Sequence, residues 1–509
     1  MSALVTDQFR IFNAGNFVDS VSNESNSYYV FLGLSNPTAV GFGRTSTWNN
    51  TNGSPDPKDN LQYLSHYRDT GLFGRRITAD NVRRVVRKVE WKTNTTYEMY
   101  RHDYSADNTA PITKSLRLYE SNYYVINSDF RVYVCIDNGS TGTNPNGNKS
   151  TAQPSSIDSA PFAPGSDGYV WKYLFTVAPT DIIKFDSTEY IVLPNNWSTS
   201  TDPEISRIRD DADSEVNENQ IKKVYIQSGG TSGYSDGVYD ILGDGSGATV
   251  QITTVNGVIT DVDVVNGGKG YTWGVVDLRR TGSIAQPGAK LIPIIPPSRG
   301  HGYDIYKELG ADRVLIYARF DDSTRDFPTD TKFSQVGLLR NPTEYSGNAN
   351  YTGSNYSSLY SIKLEDSYAD FPNVGDEITQ DISATEIARG WVASYDSTTK
   401  VLKYYRDRSL YFSNGYDQND ANNVSVKSKI VDFNNTASIE FSGGATSAQV
   451  AAGFSGSSSN GVNLGVSFSG GLANPEINKK TGDVIYIDNR PTVERNIRQK
   501  EDIKIILEF

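Results

Sequence analysis

The feature that most narrows the fold of this chain is the recurrence of turn dipeptides between short β-branched and aromatic runs. Asn-Gly pairs begin at Asn52, Asn138, Asn146, Asn256, Asn266, Asn414 and Asn460, and Asp-Gly pairs at Asp167, Asp236 and Asp244. Such pairs adopt the positive φ angles that two-residue hairpin loops demand. Between them lie alternating or β-branched runs of strand length, at 122–136, 222–227, 313–320 and 483–488. The expectation is a mainly β protein, built of several antiparallel β sandwich or barrel domains with a few short helices.

Helix signals are sparse. Ser383, Ala384, Thr385 and Glu386 form a capping-box pattern that Gly390 would end after about two turns. Residues 79–91 set Val82, Val85, Val86 and Val89 at helical spacing, with Arg83, Arg84, Arg87 and Lys88 on the other side. A short amphipathic helix is expected there, although the valines also suit a strand.

At about 150 residues per domain, 509 residues suggest three or four domains. Two regions stand apart in composition. In 222–280 a strand-like run enters a glycine turn closed by a tyrosine twice, once through Gly229, Gly230, Gly233 and Tyr234 and again through Gly267, Gly268, Gly270 and Tyr271. A hairpin turning at Asn256-Gly257 lies between the copies, which together read as one pseudo-repeated β module. Residues 441–472 are rich in Gly and Ser, and read as a long flexible loop or as thin strands that order against a partner. A hairpin over 390–405 precedes them, turning at 396–400, and the acidic stretch 201–219 reads as a linker. The layout is therefore 1–200 scaffold, 201–295 Gly-rich module, 296–345 scaffold, 346–473 second β module and 474–509 C-terminal scaffold strands.

Chemistry finds little to stand on. The single Cys135 excludes an intramolecular disulfide and reads as a buried thiol, while His66, His102 and His301 are too scattered for a zinc motif and read as polar or packing residues. No nucleophile elbow, HExxH helix or phosphate loop occurs; Gly243 to Gly247 has the wrong glycine spacing and leads into a strand. Asp261 and Asp263 lack the remaining ligands of a calcium loop, and Asp236, Asp240 and Asp244 read as solvated turn residues. Paired carboxylates for glycosidase work cannot be located from sequence. The expectation is a protein that is not an enzyme and carries no cofactor or metal. The net charge of −12 argues against a nucleic-acid partner. No apolar run approaches the roughly 20 residues of a membrane span, and the first residues lack a secretory pattern, so synthesis in a cytoplasm is expected. The basic cluster Arg75, Arg76, Arg83, Arg84, Arg87 and Lys88 suits an acidic face on a protein neighbour, or a solvated helix face.

Several segments carry a resemblance. Asp167, Gly168, Tyr169, Val170, Trp171, Lys172, Tyr173, Leu174 and Phe175, followed by 189–194, resemble a signature of the baseplate wedge subunit of T-even-like contractile phages, the family called gene product eight. Residues 4–10, 43–48, 85–91, 333–342, 482–491 and 503–509 match it in the same order, whereas 220–295 and 346–473 look like insertions. The resemblance implies a non-enzymatic, mainly β virion component of the tail baseplate. It would form a homodimer within a wedge, beside gene products six, seven and ten, and transmit baseplate rearrangement to sheath contraction. It also implies a scaffold signature in Asp167, Gly168, Tyr169, Trp171, Tyr173 and Phe175, the four aromatics sharing one strand face as core. The Arg75 to Lys88 cluster, with Asn489, Arg490 and Pro491, supplies candidate inter-subunit contacts. The alternative is a tail-associated receptor- or polysaccharide-binding protein, with or without depolymerase activity, that uses the two inserted modules.

Overall fold

The computed structural model describes residues 4–34, 56–57, 59–212, 219–281, 288–321, 331–406, 429–495 and 499–509. The protein is mainly β, and its strands pair almost throughout antiparallel; Glu386–Asp396 with Lys429–Val431 is a parallel exception. The chain forms two compact units, one of 1–18, 83–315 and 506–509, the other of 19–82 and 316–505.

In the first unit, Tyr124–Ile126, Arg131–Asn138 and Tyr169–Thr176 form a three-stranded sheet. Its aromatic strand is covered on both faces: Tyr169, Trp171, Tyr173 and Phe175 are buried, and so are Lys172 and Leu174. Tyr169 stacks on Trp171 at 5.4 Å between ring centroids, and Tyr97 meets Trp171 edge-on at 5.9 Å. The family-like aromatic block is therefore interior packing of the kind that aromatic pairs stabilise. Cys135 is buried in the neighbouring strand, and burial raises its thiol pKa well above the ordinary range. Native protein is expected to leave a disulfide-exchange reagent unreacted, with one thiol titrating only after denaturation.

In the Gly-rich region the hairpin expected at Asn256-Gly257 forms. Val258–Asn266, Thr249–Val255, Gly237–Gly243 and Gly274–Val276 make a four-stranded sheet, and Val224–Gly229 pairs with Ala289–Pro293. The central hairpin turns at Asn256 and Gly257, with φ of 54° and 75°. Each closing tyrosine folds back over its own glycine turn. A Cβ on Gly230 would lie 2.4 Å from Tyr234 Cε2, and one on Gly268 would lie 2.8 Å from Tyr271 Cε2. Tyr271 also donates to Ile241 O and accepts from Ala248 N. Tyr234, Tyr271, Val250, Ile252 and Val262 share one core. This module is tied to the three-stranded sheet by a 2.7 Å ion pair between Lys223 and Asp137, and Arg101 lies 3.6 Å from the Tyr225 ring centroid. Gly229 passes so close to the hairpin that a Cβ would lie 2.1 Å from Ile259 O. Gly229→Ala is expected to cost about 2 kcal/mol in denaturant unfolding, because a strand must shift to admit one methyl.

In the second unit a five-stranded sheet runs in the order Asn355–Ser357, Gly71–Ile77, Tyr28–Gly33, Lys332–Arg340, Asp483–Glu494. A further sheet is built mostly from residues beyond 359, around Glu377–Asp381, Glu386–Asp396 and Val401–Tyr405, with its own core of Ile362, Ile378, Val392, Leu402 and Ile439. The hairpin over 390–405 forms, and Asp396 caps its turn by accepting from Thr398 N and Thr399 N. Part of 441–472 forms thin strands. Gly456–Ser459 pairs with Val462–Phe468 across Asn460-Gly461, and Phe468 packs with Val401 and Ala473.

Three local expectations are corrected. Residues 79–91 are not an α-helix: one 3-10 turn, Ala79–Asn81, leads into the strand Val82–Arg87, which pairs with Tyr190–Val192. The β-branched valines fill buried strand positions, so packing overrides their helical spacing. Ser383 caps a hairpin loop instead of a helix, its Oγ accepting from Thr385 N and Glu386 N ahead of the strand Glu386–Asp396. The stretch 201–219 contains a helix, Pro203–Asp210, capped by Asp202, which accepts from Glu204 N and Ile205 N; residues 213–218 lie outside those described. Sequence reading also missed Asp7–Ser22 and Leu61–Thr70 as helices. Among the described residues no helix is long and apolar enough to cross a membrane.

Candidate functional site

The most distinctive polar site lies in the first unit, around the loop that follows Pro296-Pro297. Arg299, Gly300 and Gly302 take φ of 65°, 89° and 94°, a run of left-handed backbone that folds the loop tightly on itself. At Gly302 a side chain is excluded, since a Cβ would lie 2.9 Å from Ile208 Cγ2. Asp304 then caps the single-turn helix Ile305–Glu308, accepting from Tyr306 N and Lys307 N. This turn returns Glu308 beneath the loop.

There the Glu308 carboxylate is fully enclosed. Its Oε1 lies 2.6 Å from His301 Nδ1, and its Oε2 accepts from Gly302 N at 2.6 Å. The His301 ring stands edge-on to Tyr100 at 4.8 Å, and Trp197 Nε1 donates to Gly302 O and Tyr303 O. The loop and its carboxylate therefore fix the imidazole. With Nδ1–H directed at Glu308, the other ring nitrogen, Nε2, has no hydrogen-bond partner among the described residues.

His301 lines a cleft of about 380 Å³ together with Ser159, Lys172, Asp211, Gln220 and Lys222. Lys172 reaches it from the aromatic strand. The residue is 5% exposed, and its ammonium donates to Ser159 O at 2.6 Å. Among the described residues no carboxylate comes within ion-pair distance of Lys172 or Lys222. Burial lowers the pKa of Lys172, and Glu308 and Asp211 oppose the shift. Lys222 and Asp211 are exposed at the rim. Glu308 also borders a second cleft of about 410 Å³, where Gln8, Tyr119 and Lys307 O satisfy one another in a chain of hydrogen bonds.

The residues singled out from sequence fall elsewhere. Asp167 closes a turn, accepting from Thr151 N, Ala152 N and Tyr169 N; these bonds outweigh burial and hold its carboxyl below the ordinary range. Gly168 sits at φ 86° beside the Asn148 amide. The basic cluster is split between the two units. Arg83 pairs with Asp181 at 3.0 Å, Arg84 stacks on Tyr306 at 3.8 Å, and Arg87 donates to Glu120 O and Ser121 O. Lys88 donates to Ser187 O and pairs with Glu90, Arg75 bonds Asn355, and Arg76 donates to Thr352 O. Each of these basic groups thus has an internal partner. Asn489 is buried against Gln335, whereas Arg490 and Pro491 are exposed, with Arg490 held to Asp488. His102 accepts from Ile295 N, and burial lowers its pKa; the side chain of His66 and residues 43–48 lie outside the described residues.

The sequence held one signal for the cleft: a Gly-His-Gly turn after two prolines, with a carboxylate seven residues on from the histidine. Nothing in strand alternation marks Lys172 as buried. Among the described residues no cluster of three His, Cys, Asp or Glu side chains could hold a metal ion. The fold and site define a mainly β protein of several antiparallel sheets with a lysine- and imidazole-lined cleft in its first unit. No protein-family model and no curated protein matches the chain.

Proposed function

We propose that this chain is a structural subunit of the baseplate wedge of a contractile phage tail, linking neighbouring wedge subunits and passing baseplate rearrangement on to sheath contraction. The observation that carries the reading is how the family-like segments pair. In the first unit, 85–91 and 189–194 meet through Val85 with Val192, Val86 with Ile191 and Arg87 with Tyr190. In the second, 333–342 and 482–491 meet through Gly337 with Ile487 and Leu338 with Tyr486. Segments far apart in sequence that resemble the same family thus pair with one another, which supports a shared scaffold. The regions that look inserted hold cores of their own, around Val250 and Ile252 and around Ile378 and Val392, although Asn355–Ser357 of the second joins the five-stranded sheet. A scaffold that binds several neighbours needs extended complementary surfaces rather than a concentrated catalytic set. Its partners would be a second copy of the chain and the equivalents of gene products six, seven and ten. Mixing purified chain with those neighbours and measuring mass by light scattering after size exclusion is expected to give a discrete complex of fixed stoichiometry. Independent elution at micromolar concentrations would oppose the reading.

The second reading, a tail-associated receptor- or polysaccharide-binding protein, has one observation in its favour. Trp273, Val275 and Leu242 are 57%, 52% and 41% exposed on the Gly-rich module, and Val275 lies opposite Leu242 across two strands. Exposed aromatic and apolar groups of this kind suit stacking or docking. A glycan array separates the readings, since the wedge assignment expects no binding.

A further inference from the structure

We propose that the outer face of the four-stranded sheet in the Gly-rich module is a docking surface for a basic amphipathic helix of a partner chain. Strand alternation sets the face. Along Gly237–Gly243, Tyr239 and Ile241 enter the module's core, while Val238, Asp240 and Leu242 point outward and are exposed. Val275 lies opposite Leu242 on one side, and Gln251 on the other lies opposite both Val238 and Asp263. Val238 is 44% exposed, and Val265, two residues on from Asp263, is 60% exposed. With Leu242, Val275 and Trp273 they leave five apolar side chains open to solvent on one small module. Apolar patches of a few hundred Å² mark interaction sites, and a sheet with an apolar face ordinarily buries it against a second layer.

Charge decides the occupant. The strands Gly237–Gly243, Thr249–Val255, Val258–Asn266 and Gly274–Val276 contain no lysine or arginine, whereas alternation places Asp240, Asp261 and Asp263 on the outer face. Asp240 and Asp263 are exposed, and neither carboxylate has a hydrogen-bond or ion-pair partner among the described residues. Asp244, just beyond Gly243, accepts from Thr272 N and Trp273 N. Hydrogen bonds from Thr272 hold its carboxyl below the ordinary range, and they fix the backbone that carries the Trp273 ring. A second copy of the chain would set these carboxylates against one another, and a nucleic acid or acidic polysaccharide would be repelled in the same way. A basic amphipathic helix meets both halves of the pattern. Its apolar stripe covers Leu242, Val275 and Trp273, and lysine or arginine heads at its margin reach Asp240 and Asp263 while their stems lie along the valines. Partner chemistry of this kind is left open by the wedge reading and does not depend on it.

The probe is a fluorescent amphipathic peptide of leucine and lysine, about four helical turns long, titrated with the full chain and followed by anisotropy. Its controls are oligolysine of equal charge and the same peptide with glutamate in place of lysine. The leucine–lysine peptide is expected to saturate, with both controls at least about tenfold weaker. Leu242→Ser combined with Trp273→Ser is expected to weaken binding about tenfold, as loss of an apolar anchor does. Asp240→Asn combined with Asp263→Asn is expected to weaken it about threefold and to flatten its dependence on salt. Glu440→Gln, at an exposed carboxylate of the other unit, should leave it unchanged. The two aspartates make no contact that folding needs, so their variant keeps the test decisive even where the apolar variant fails to fold. No saturable binding, equal binding by oligolysine, or an unchanged affinity in the aspartate variant would each overturn the proposal. So would a neutral oligosaccharide that binds where the peptide does not and is lost in Trp273→Ser, which would assign the face to sugar. None of these outcomes bears on the wedge reading.

Discussion

Glu308→Ala is expected to destabilise the unit that contains it by about 3 kcal/mol, the cost of leaving two buried donors without their acceptor. The carboxylate is the common acceptor for His301 Nδ1 and Gly302 N, each at 2.6 Å. Its loss strands both donors inside the protein and opens a void beneath a loop already held at positive φ. Glu308→Gln keeps the shape and one carbonyl acceptor, so a smaller loss of about 1–2 kcal/mol is expected. Because the chain has two units, global unfolding need not be two-state. Hydrogen exchange of peptides covering 296–310 reads the effect locally, and an alanine variant as protected as wild type would contradict the account.

A second large effect is expected at Trp171. Truncation to alanine should cost about 3–5 kcal/mol, as for other fully buried large aromatics, because the indole is sandwiched between Tyr169 and the edge of Tyr97. Trp171→Phe should cost under about 1.5 kcal/mol, since the ring face is retained and the buried Trp171 Nε1–H has no hydrogen-bond partner to lose. Denaturant unfolding of both variants tests the pair. A phenylalanine variant as unstable as the alanine variant would show that the indole nitrogen does more than fill space.

The parts of the fold that sequence made legible are those fixed by local backbone chemistry. Asn256-Gly257 and Asn460-Gly461 turn hairpins because both residues accept positive φ, and the tyrosines of the Gly-rich module close their turns because glycine leaves room for a ring. Legibility failed where a long-range partner decides the outcome. The valines of 82–86 satisfy helical and strand patterns equally, and pairing with Tyr190–Val192 settles the matter. In Asp7–Ser22, the buried Ile11, Ala14, Val18 and Val21 do recur at helical spacing, but Asn13, Gly15 and Asn16 weaken the local preference, and Phe9 and Phe12 stay exposed. The helix start Asp202-Pro203 was readable as a cap followed by proline, yet its acidic setting suggested a linker.

The candidate site was the least legible part. His301 and Glu308 become a pair only through the turn between them, and Lys172 occupies a strand position that alternation would send outward. It is buried because the strand is covered on both faces. In the basic cluster, Arg83 and Arg84 also have partners within the chain, Asp181 and Tyr306, which the charge run by itself does not announce. Arginine stems and planar heads fill such positions as readily as they form interfaces.

Immunogold electron microscopy of virions, with an antibody raised against this chain, tests the central claim most directly. The wedge assignment expects label at the distal end of a contractile tail, in intact or mildly disrupted particles. Label confined to fibres or capsid, or none on either preparation, would contradict it.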